Sequence, residues 1–131
     1  MEMDQAVFLK AQILERTFKE SQEKIDFLEQ QIIELDKFKQ SIKAISDSKG
    51  KEIISPLGKG VHAKTSLVDD DFFVEVGSGV VVKKTPAQLI NTIDSQISQL
   101  HDARAHVSGE LEIARHSLIS LLEEIETNQK N

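Results

Sequence analysis

The chain has 131 residues, 29% of them charged, with a net charge of −6 and no Trp, Tyr or Cys. Acidic and basic residues alternate without forming a basic stripe, so nucleic acid and anionic membranes are disfavoured as partners. The lack of cysteine excludes disulfides and thiolate metal sites. No apolar stretch is as long as a membrane span and the acidic N-terminus does not resemble a signal peptide, so we expect a cytoplasmic protein.

The first predicted element is a long helix over residues 4–48. Its apolar residues recur in alternating steps of four and three, the heptad spacing of a coiled-coil seam. Lys49 and Gly50 then form a stop signal, because a basic side chain suits the negative helix end and glycine adopts the left-handed conformation beyond it. The seam positions are Val7, Ala11, Leu14, Phe18, Ser21, Ile25, Leu28, Ile32, Leu35, Lys39 and Ile42.

Two β-hairpins are predicted over residues 52–83, where four short runs are rich in β-branched and aromatic residues. Glycine-containing turns at 58–60 and 77–79 separate the strands of each pair. These strands carry more apolar surface and more open edges than two helix ends can cover, so we expect several chains to join their hairpins in an intersubunit β-barrel. The residues assigned to this oligomer interface are Val61, Phe72, Val74, Val76, Val80 and Val82.

A second long helix is predicted over residues 86–128. Thr85 and Gln88 form a capping box around Pro86, which suits the first helical position. The second seam matches the first in length, so the helices should pair antiparallel, with facing residue numbers that sum to about 132. The seam positions are Ile90, Ile93, Ile97, Leu100, Arg104, Val107, Leu111, Ala114, Leu118, Leu121 and Ile125.

These elements make an α+β fold in which two small hairpins join a long antiparallel two-helix coiled coil in one domain, residues 1–131. Ser21, Lys39 and Arg104 interrupt the seams, and we interpret them as residues that fix the register. Apolar residues also lie off the seam near the far ends of the helices. Because exposed apolar patches mark interaction sites, we predict a binding surface there, although local repacking of the helix ends is an alternative. The assigned residues are the off-seam Phe8, Leu9, Ile13, Ile119 and Leu122 together with the seam residues Val7, Leu118 and Ile125; Ile113 lies off the seam too but is not assigned.

No residue is assigned to catalysis, to a metal or to a cofactor, and we predict that the chain is not an enzyme. The four histidines, His62, His101, His106 and His116, lack metal-ligand spacing. The aspartates of residues 69–71 lack the alternating ligands and the glycine of a calcium loop. The glycine turns lack the Lys-Ser/Thr pair of a phosphate-binding loop.

The two hairpin sequences, Ile-Ser-Pro-Leu-Gly-Lys-Gly-Val over 54–61 and Val-Glu-Val-Gly-Ser-Gly-Val-Val-Val-Lys-Lys-Thr over 74–85, stand between two seam helices. This arrangement resembles the α class of archaeal-type prefoldin subunits. The resemblance implies an ATP-independent chaperone, a hexamer of two α-type and four β-type chains whose hairpins form a double β-barrel. It further implies that the coiled-coil tips bind non-native polypeptides and pass them to a group II chaperonin.

Two other functions remain open from the sequence. One is a coiled-coil scaffold or tether, or a filament-forming prefoldin-like protein, in which the hairpins serve as the assembly node. A pure spacer, however, has no need of apolar residues off the seam at its far end. The other is a helical arm that binds nucleic acid, which the net charge of −6 disfavours.

Overall fold

The computed structural model describes residues 2–130, with side chains from residue 5 to residue 127. Two long helices and two antiparallel hairpins confirm the predicted fold class, and the predicted barrel between subunits stays a prediction. Met1 and Asn131, the ends of the predicted domain, lie outside the described residues. The elements in chain order are α1 (Glu2–Ser46), β1 (Glu52–Gly58), β2 (Val61–Ser66), β3 (Phe72–Gly77), β4 (Val80–Lys84) and α2 (Pro86–Lys130).

The chain divides into two compact units. The first, which we call the coil unit, comprises the described residues of Met1–Ile32 and Gln99–Asn131 and contains only helix. The second, the hairpin unit, comprises Ile33–Ser98 and contains all four strands. The single domain inferred from the sequence therefore stays a prediction.

The coil unit is held together by the predicted seams of its two helices. Its buried side chains are all seam residues: Ser21, Ile25, Val107, Ala114 and Leu121. Arg104 also lies on the seam, and its Nη2 donates to Glu29 Oε1 across the helix pair at 2.9 Å. This pair lies within one residue of the predicted register. The long Arg104 side chain thus reaches past the seam to a carboxylate instead of burying its charge.

The core of the hairpin unit lies where β3 meets the two helices. Ile42, 2% exposed, packs with Leu89 and Ile93, and the half-buried Phe72 and Val74 of β3 pack against this cluster. One face of the second hairpin therefore contributes to the core of its own chain.

The polar seam residue of the hairpin unit, Lys39, makes an ion pair across the helices. Its Nζ lies 2.6 Å from Asp94 Oδ1. As with the pair in the coil unit, this contact lies within one residue of the predicted register. The antiparallel pairing predicted from the heptads is thus confirmed in each unit separately.

Helix α1 ends at Ser46, two residues before the predicted end. The Ser48 hydroxyl donates to the Ala44 carbonyl at 2.8 Å and so satisfies an acceptor that the helix end leaves unpaired, while the Ser46 hydroxyl donates to the Ile42 carbonyl at the same distance. A turn then leads to Gly50, whose φ of 80° is in the left-handed region, as the stop signal predicted.

Helix α2 begins at Pro86 with the predicted capping box. The Thr85 backbone N–H donates to Gln88 Oε1 at 3.0 Å, and the Gln88 backbone N–H donates to Thr85 Oγ1 at 3.2 Å. Two orphan donors of the first turn are thereby satisfied reciprocally.

The two hairpins share one turn geometry. Strand β1 pairs with β2 and β3 with β4, each with one bulge just before the turn. Lys59 and Gly60 have φ of 51° and 79°, and Ser78 and Gly79 have φ of 50° and 76°. Positive φ at both central residues is characteristic of a type I′ turn, whose twist matches that of the flanking strands. Within the described residues each sheet contains two strands.

Candidate functional site

The helix ends of the coil unit carry large apolar side chains in solvent. Phe8 is 63% exposed and Ile13 64% on α1, and Ile113 is 70% exposed on α2. A two-stranded coiled coil needs apolar residues only at its seam, so these side chains are not required for pairing the helices. We call this set the terminal patch: Phe8, Leu9, Ile13, Ile113, Ile119 and Leu122.

The eight residues assigned to this binding surface fall into two groups by their exposure. Phe8, Leu9, Ile13, Ile119 and Leu122 are exposed and belong to the terminal patch. The other three, Val7, Leu118 and Ile125, are half-buried seam residues. Their seam faces are occupied, and only part of each side chain is available to another molecule.

A groove of about 630 Å³ lies between the two helices of the coil unit. Ile13 and Ile113 form parts of its walls, and the small side chains of Ser117 and Ser120 leave the space open. Sequence reasoning missed this groove. The available signal was the pair of serines three residues apart on α2, beside apolar neighbours. The remaining lining residues are Lys10, Leu14, His116, Leu121 and Glu124.

The hairpins expose a second apolar surface. Of the six residues assigned to the oligomer interface, Val61, Val76, Val80 and Val82 are exposed. Phe72 and Val74 are half-buried against the core of the hairpin unit, so their side chains are already in contact within the chain.

Sequence reasoning did not assign four further exposed strand residues: Ile54, Leu57, Phe73 and Val81. The signal for Val81 was the run of three consecutive valines in β4. We call the exposed strand side chains the hairpin surface: Ile54, Leu57, Val61, Phe73, Val76, Val80, Val81 and Val82.

Lysines pair with the three aspartates between β2 and β3. Lys83 Nζ lies 2.9 Å from Asp69 Oδ2 and 3.7 Å from Asp71 Oδ2, and Lys49 Nζ lies 3.1 Å from Asp70 Oδ2. The hydrogen bond from Lys83, assisted by the backbone N–H of Asp71, lowers the pKa of the Asp69 carboxyl. The Asp69 carboxylate in turn raises the pKa of Lys83. These pairs connect the loop between the hairpins to β4 and to the turn after α1.

Among the described residues, no cluster of three or more His, Asp or Glu side chains is placed to hold a metal ion. The side chains of His106 and His116 are 77% and 80% exposed. In the same part of the chain, neither helix has a segment apolar enough to span a bilayer. The candidate sites are thus the two apolar surfaces.

Comparison with known proteins identifies a family and several relatives. A family model described as prefoldin subunit matches residues 14–131. Prefoldin subunit alpha 2 of Thermococcus kodakarensis is 33% identical over 82 residues, which cover 62% of this chain and 58% of the relative. Prefoldin subunit alpha of Thermofilum pendens is 30% identical over 97 residues, 70% of this chain and 75% of the relative.

A third relative, prefoldin subunit alpha of Methanopyrus kandleri, is 28% identical over 86 residues, 64% of this chain and 55% of the relative. The matches thus span little more than half the length of the Thermococcus and Methanopyrus proteins. The fold is also similar to a cryo-EM structure of filamentous PFD from Methanocaldococcus jannaschii, with a TM-score of 0.76 and 16% identity, covering 88% of this chain and 97% of that one.

Proposed function

Because the chain belongs to the prefoldin family, we propose that it is a subunit of an ATP-independent holdase that binds non-native polypeptides through the terminal patch. The observation that carries this proposal is the exposure of the six large apolar side chains of the terminal patch, at positions that helix pairing does not need. Exposed apolar clusters of this kind are typical of interaction sites. The half-buried Val7, Leu118 and Ile125 complete the proposed site.

The physical demands on such a site support the proposal. A non-native chain presents scattered apolar side chains with no fixed geometry, so its receptor needs weak and adaptable contacts. Several copies of a weak site in one assembly raise the total affinity through effective concentration. An exposed patch on a helix pair, repeated in an oligomer, meets both requirements.

We further propose that the hairpin surface joins this chain to β-class prefoldin subunits in a hexamer of two α-type and four β-type chains. Support comes from the exposed valines of β4 and from the unpaired edges of both two-stranded sheets. In this proposal the assembly is cytoplasmic and delivers its polypeptides to a group II chaperonin.

A second candidate is a scaffold that self-assembles, or forms filaments, through the hairpins. The same open edges and exposed valines favour it, and the similar Methanocaldococcus structure is of a filamentous protein. The terminal patch distinguishes the two candidates, because a spacer does not use exposed apolar side chains at its helix ends.

The chain offers a matched pair of variants for the test. Phe8 and Ile119 of the terminal patch are 63% and 47% exposed, and Phe27 and Ile33, outside the patch, have the same two exposures. Phe8→Ser with Ile119→Ser and Phe27→Ser with Ile33→Ser therefore remove the same side chains from equally exposed helical positions. Assemblies in which every copy of this chain is altered are compared in suppressing aggregation of a chemically denatured test protein.

We expect the patch variant to need at least about five-fold more chaperone for half-suppression, since each lost side chain contributes up to ~1.5–3 kcal/mol when fully buried by a client. The control variant should stay within two-fold of wild type. Equal losses in the two variants, in assemblies whose partner tips are altered as well and whose mass and helical content are unchanged, would contradict the holdase proposal and favour the scaffold.

A further inference from the structure

The two halves of the terminal patch are bordered by charges of opposite sign. On α1, Leu9 and Ile13 are followed at helical spacing by Arg16 and Lys19, and the four line one surface depression with Gln12 and Glu15. Residues at these intervals lie on one face of a helix. From residue 8 to residue 19 the chain carries three basic residues and one acidic residue. The exposed apolar surface of α1 thus has a positive border.

On α2 the border is negative. Ile119, Leu122, Glu123 and Glu126 follow the spacing i, i+3, i+4, i+7 and so share one helix face. All four are exposed. Between residues 117 and 127 the chain carries three glutamates and no lysine or arginine.

These charges are available to another molecule. Among the described residues, Arg16, Lys19, Glu123 and Glu126 form no ion pair. Arg115 differs, because its Nη1 lies 3.5 Å from Glu112 Oε1 on the same helix. Within the described part of the chain, none of these four border charges is therefore held in an ion pair, and one carboxylate, Glu15, shares the depression of Arg16 and Lys19.

We propose that the terminal patch sorts client segments by charge: the α2 face binds apolar segments flanked by Lys or Arg, and the α1 face binds apolar segments flanked by Asp or Glu. This inference rests on the proposed function and adds the class of client. A hydrophobic contact alone does not distinguish client segments with positive flanking charges from those with negative ones. A charged side chain beside the contact attracts a flanking charge of opposite sign and repels one of the same sign.

The dimensions suit this recognition. From Ile119 to Glu126 the helix rises about 10 Å, which an extended segment spans in about three residues. A client charge next to an apolar cluster then lies within about one Debye length, ~8–10 Å, of the border charge at moderate salt. Selectivity should therefore be largest at low salt and should fade at high salt.

The test uses three fluorescent peptides and the full chain in its native assembly. Each peptide has the same central Leu and Phe residues, flanked by lysines, by glutamates or by serines. Two charge-reversal variants are compared: Glu123→Lys with Glu126→Lys, and Arg16→Glu with Lys19→Glu. Controls with the same changes in net charge are Asp36→Lys with Asp102→Lys, and Lys37→Glu with Lys43→Glu, all at exposed helical positions outside the patch.

We expect Glu123→Lys with Glu126→Lys to weaken binding of the lysine-flanked peptide about five- to ten-fold at low salt, because each exposed charge contact contributes modestly. Binding of the glutamate-flanked peptide should be no weaker than in wild type. The Arg16 and Lys19 reversal should give the opposite pattern. Neutralisation by Glu123→Gln with Glu126→Gln should give a smaller change in the same direction. Unchanged helical content and assembly mass verify that the variants fold.

Two results would overturn the charge sorting while leaving the proposed function intact. In one, the controls shift the peptide affinities as much as the patch variants, which means that net charge alone is responsible. In the other, the serine-flanked peptide binds wild type but neither reversal distinguishes the two charged peptides. Failure of the serine-flanked peptide to bind at all is instead a failure of the proposed client-binding function.

Discussion

The coil unit and the hairpin unit both expose large apolar side chains, but the backbone beneath those side chains differs. In the terminal patch they project from helices, whose N–H and C=O groups are paired within each helix. In the hairpin surface they project from sheets that, within the described residues, have two strands each and so present unpaired groups at their outer edges. A helix surface accepts apolar partners in many geometries, whereas a strand edge requires another strand in a fixed register. The first suits variable clients and the second a constant subunit partner.

The largest effect that this comparison predicts is loss of assembly when the hairpin surface is made acidic. Val80→Asp with Val82→Asp should reduce the native mass to that of smaller species while helical content is retained, because buried carboxylates would have no partner in a sheet interface. Native mass spectrometry and circular dichroism measure the two quantities.

Val68→Asp is the control for that variant. Val68 is 88% exposed in the same unit but lies outside the strands. Its replacement should leave the native mass unchanged. Assembly of the Val80 and Val82 variant at wild-type mass would show that the hairpins are not the assembly node.

The next effect concerns the core on which β3 packs. Ile42 is 2% exposed, and Ile42→Ala should lower the free energy of unfolding by about 2–4 kcal/mol, since it removes buried methyl groups and leaves a cavity. Ile33→Ala, at a 47% exposed position on the same helix, should change it by less than about 0.5 kcal/mol. Urea unfolding followed by circular dichroism measures both. Similar losses of unfolding free energy in the two variants would mean that Ile42 does not lie in a core shared by the helices and β3.

A smaller loss is expected from the capping box that begins α2. Thr85→Ala removes the acceptor of the Gln88 N–H and should cost about 1 kcal/mol in the same urea measurement. Thr92→Ala is the matched control, because the Thr92 hydroxyl donates only to a carbonyl within the helix interior. A Thr85→Ala cost no larger than that of the control would mean that the cap contributes nothing to stability.

Signals within a few residues predicted much of this fold. The heptads predicted both helices and their pairing, the Thr85–Gln88 box predicted the start of α2, and the glycine turns predicted both hairpins. The pairing follows from the equal lengths of the two seams, and the other features depend on residues that are neighbours in sequence, where periodicity and capping rules apply.

Features that depend on residues distant in sequence were not predictable in the same way. Phe72 and Val74 alternate as a strand face should, but periodicity does not say whether that face packs on its own helices or on a partner. The groove beside Ser117 and the pairing of Asp69 with Lys83 arise only once the chain folds. The terminal patch was visible from the sequence because its residues depart from a seam that is itself periodic.

The smallest effect concerns the loop that joins the two hairpins. The side chains of Lys83 and Asp69 are 52% and 41% exposed. Their pairing lowers the pKa of the Asp69 carboxyl below its usual 3.8 and raises the pKa of Lys83 above its usual 10.5. A lowered acid pKa gives stability that is fully present above pH 3.8 and is lost as pH falls through the folded-state pKa. A raised lysine pKa gives stability that is fully present below pH 10.5 and is lost as pH rises through the folded-state pKa.

Asp69→Asn should therefore lower the melting temperature by a small, constant amount between about pH 5 and pH 9, since exposed pairs contribute little. The difference from wild type should shrink as pH falls below 3.8 and should vanish below the folded-state pKa, where the wild-type carboxyl is neutral too. Asp36→Asn, at an exposed position on α1, is the control, and a difference that persists unchanged at pH 2 would mean that Asp69 acts through its backbone turn and not through its charge.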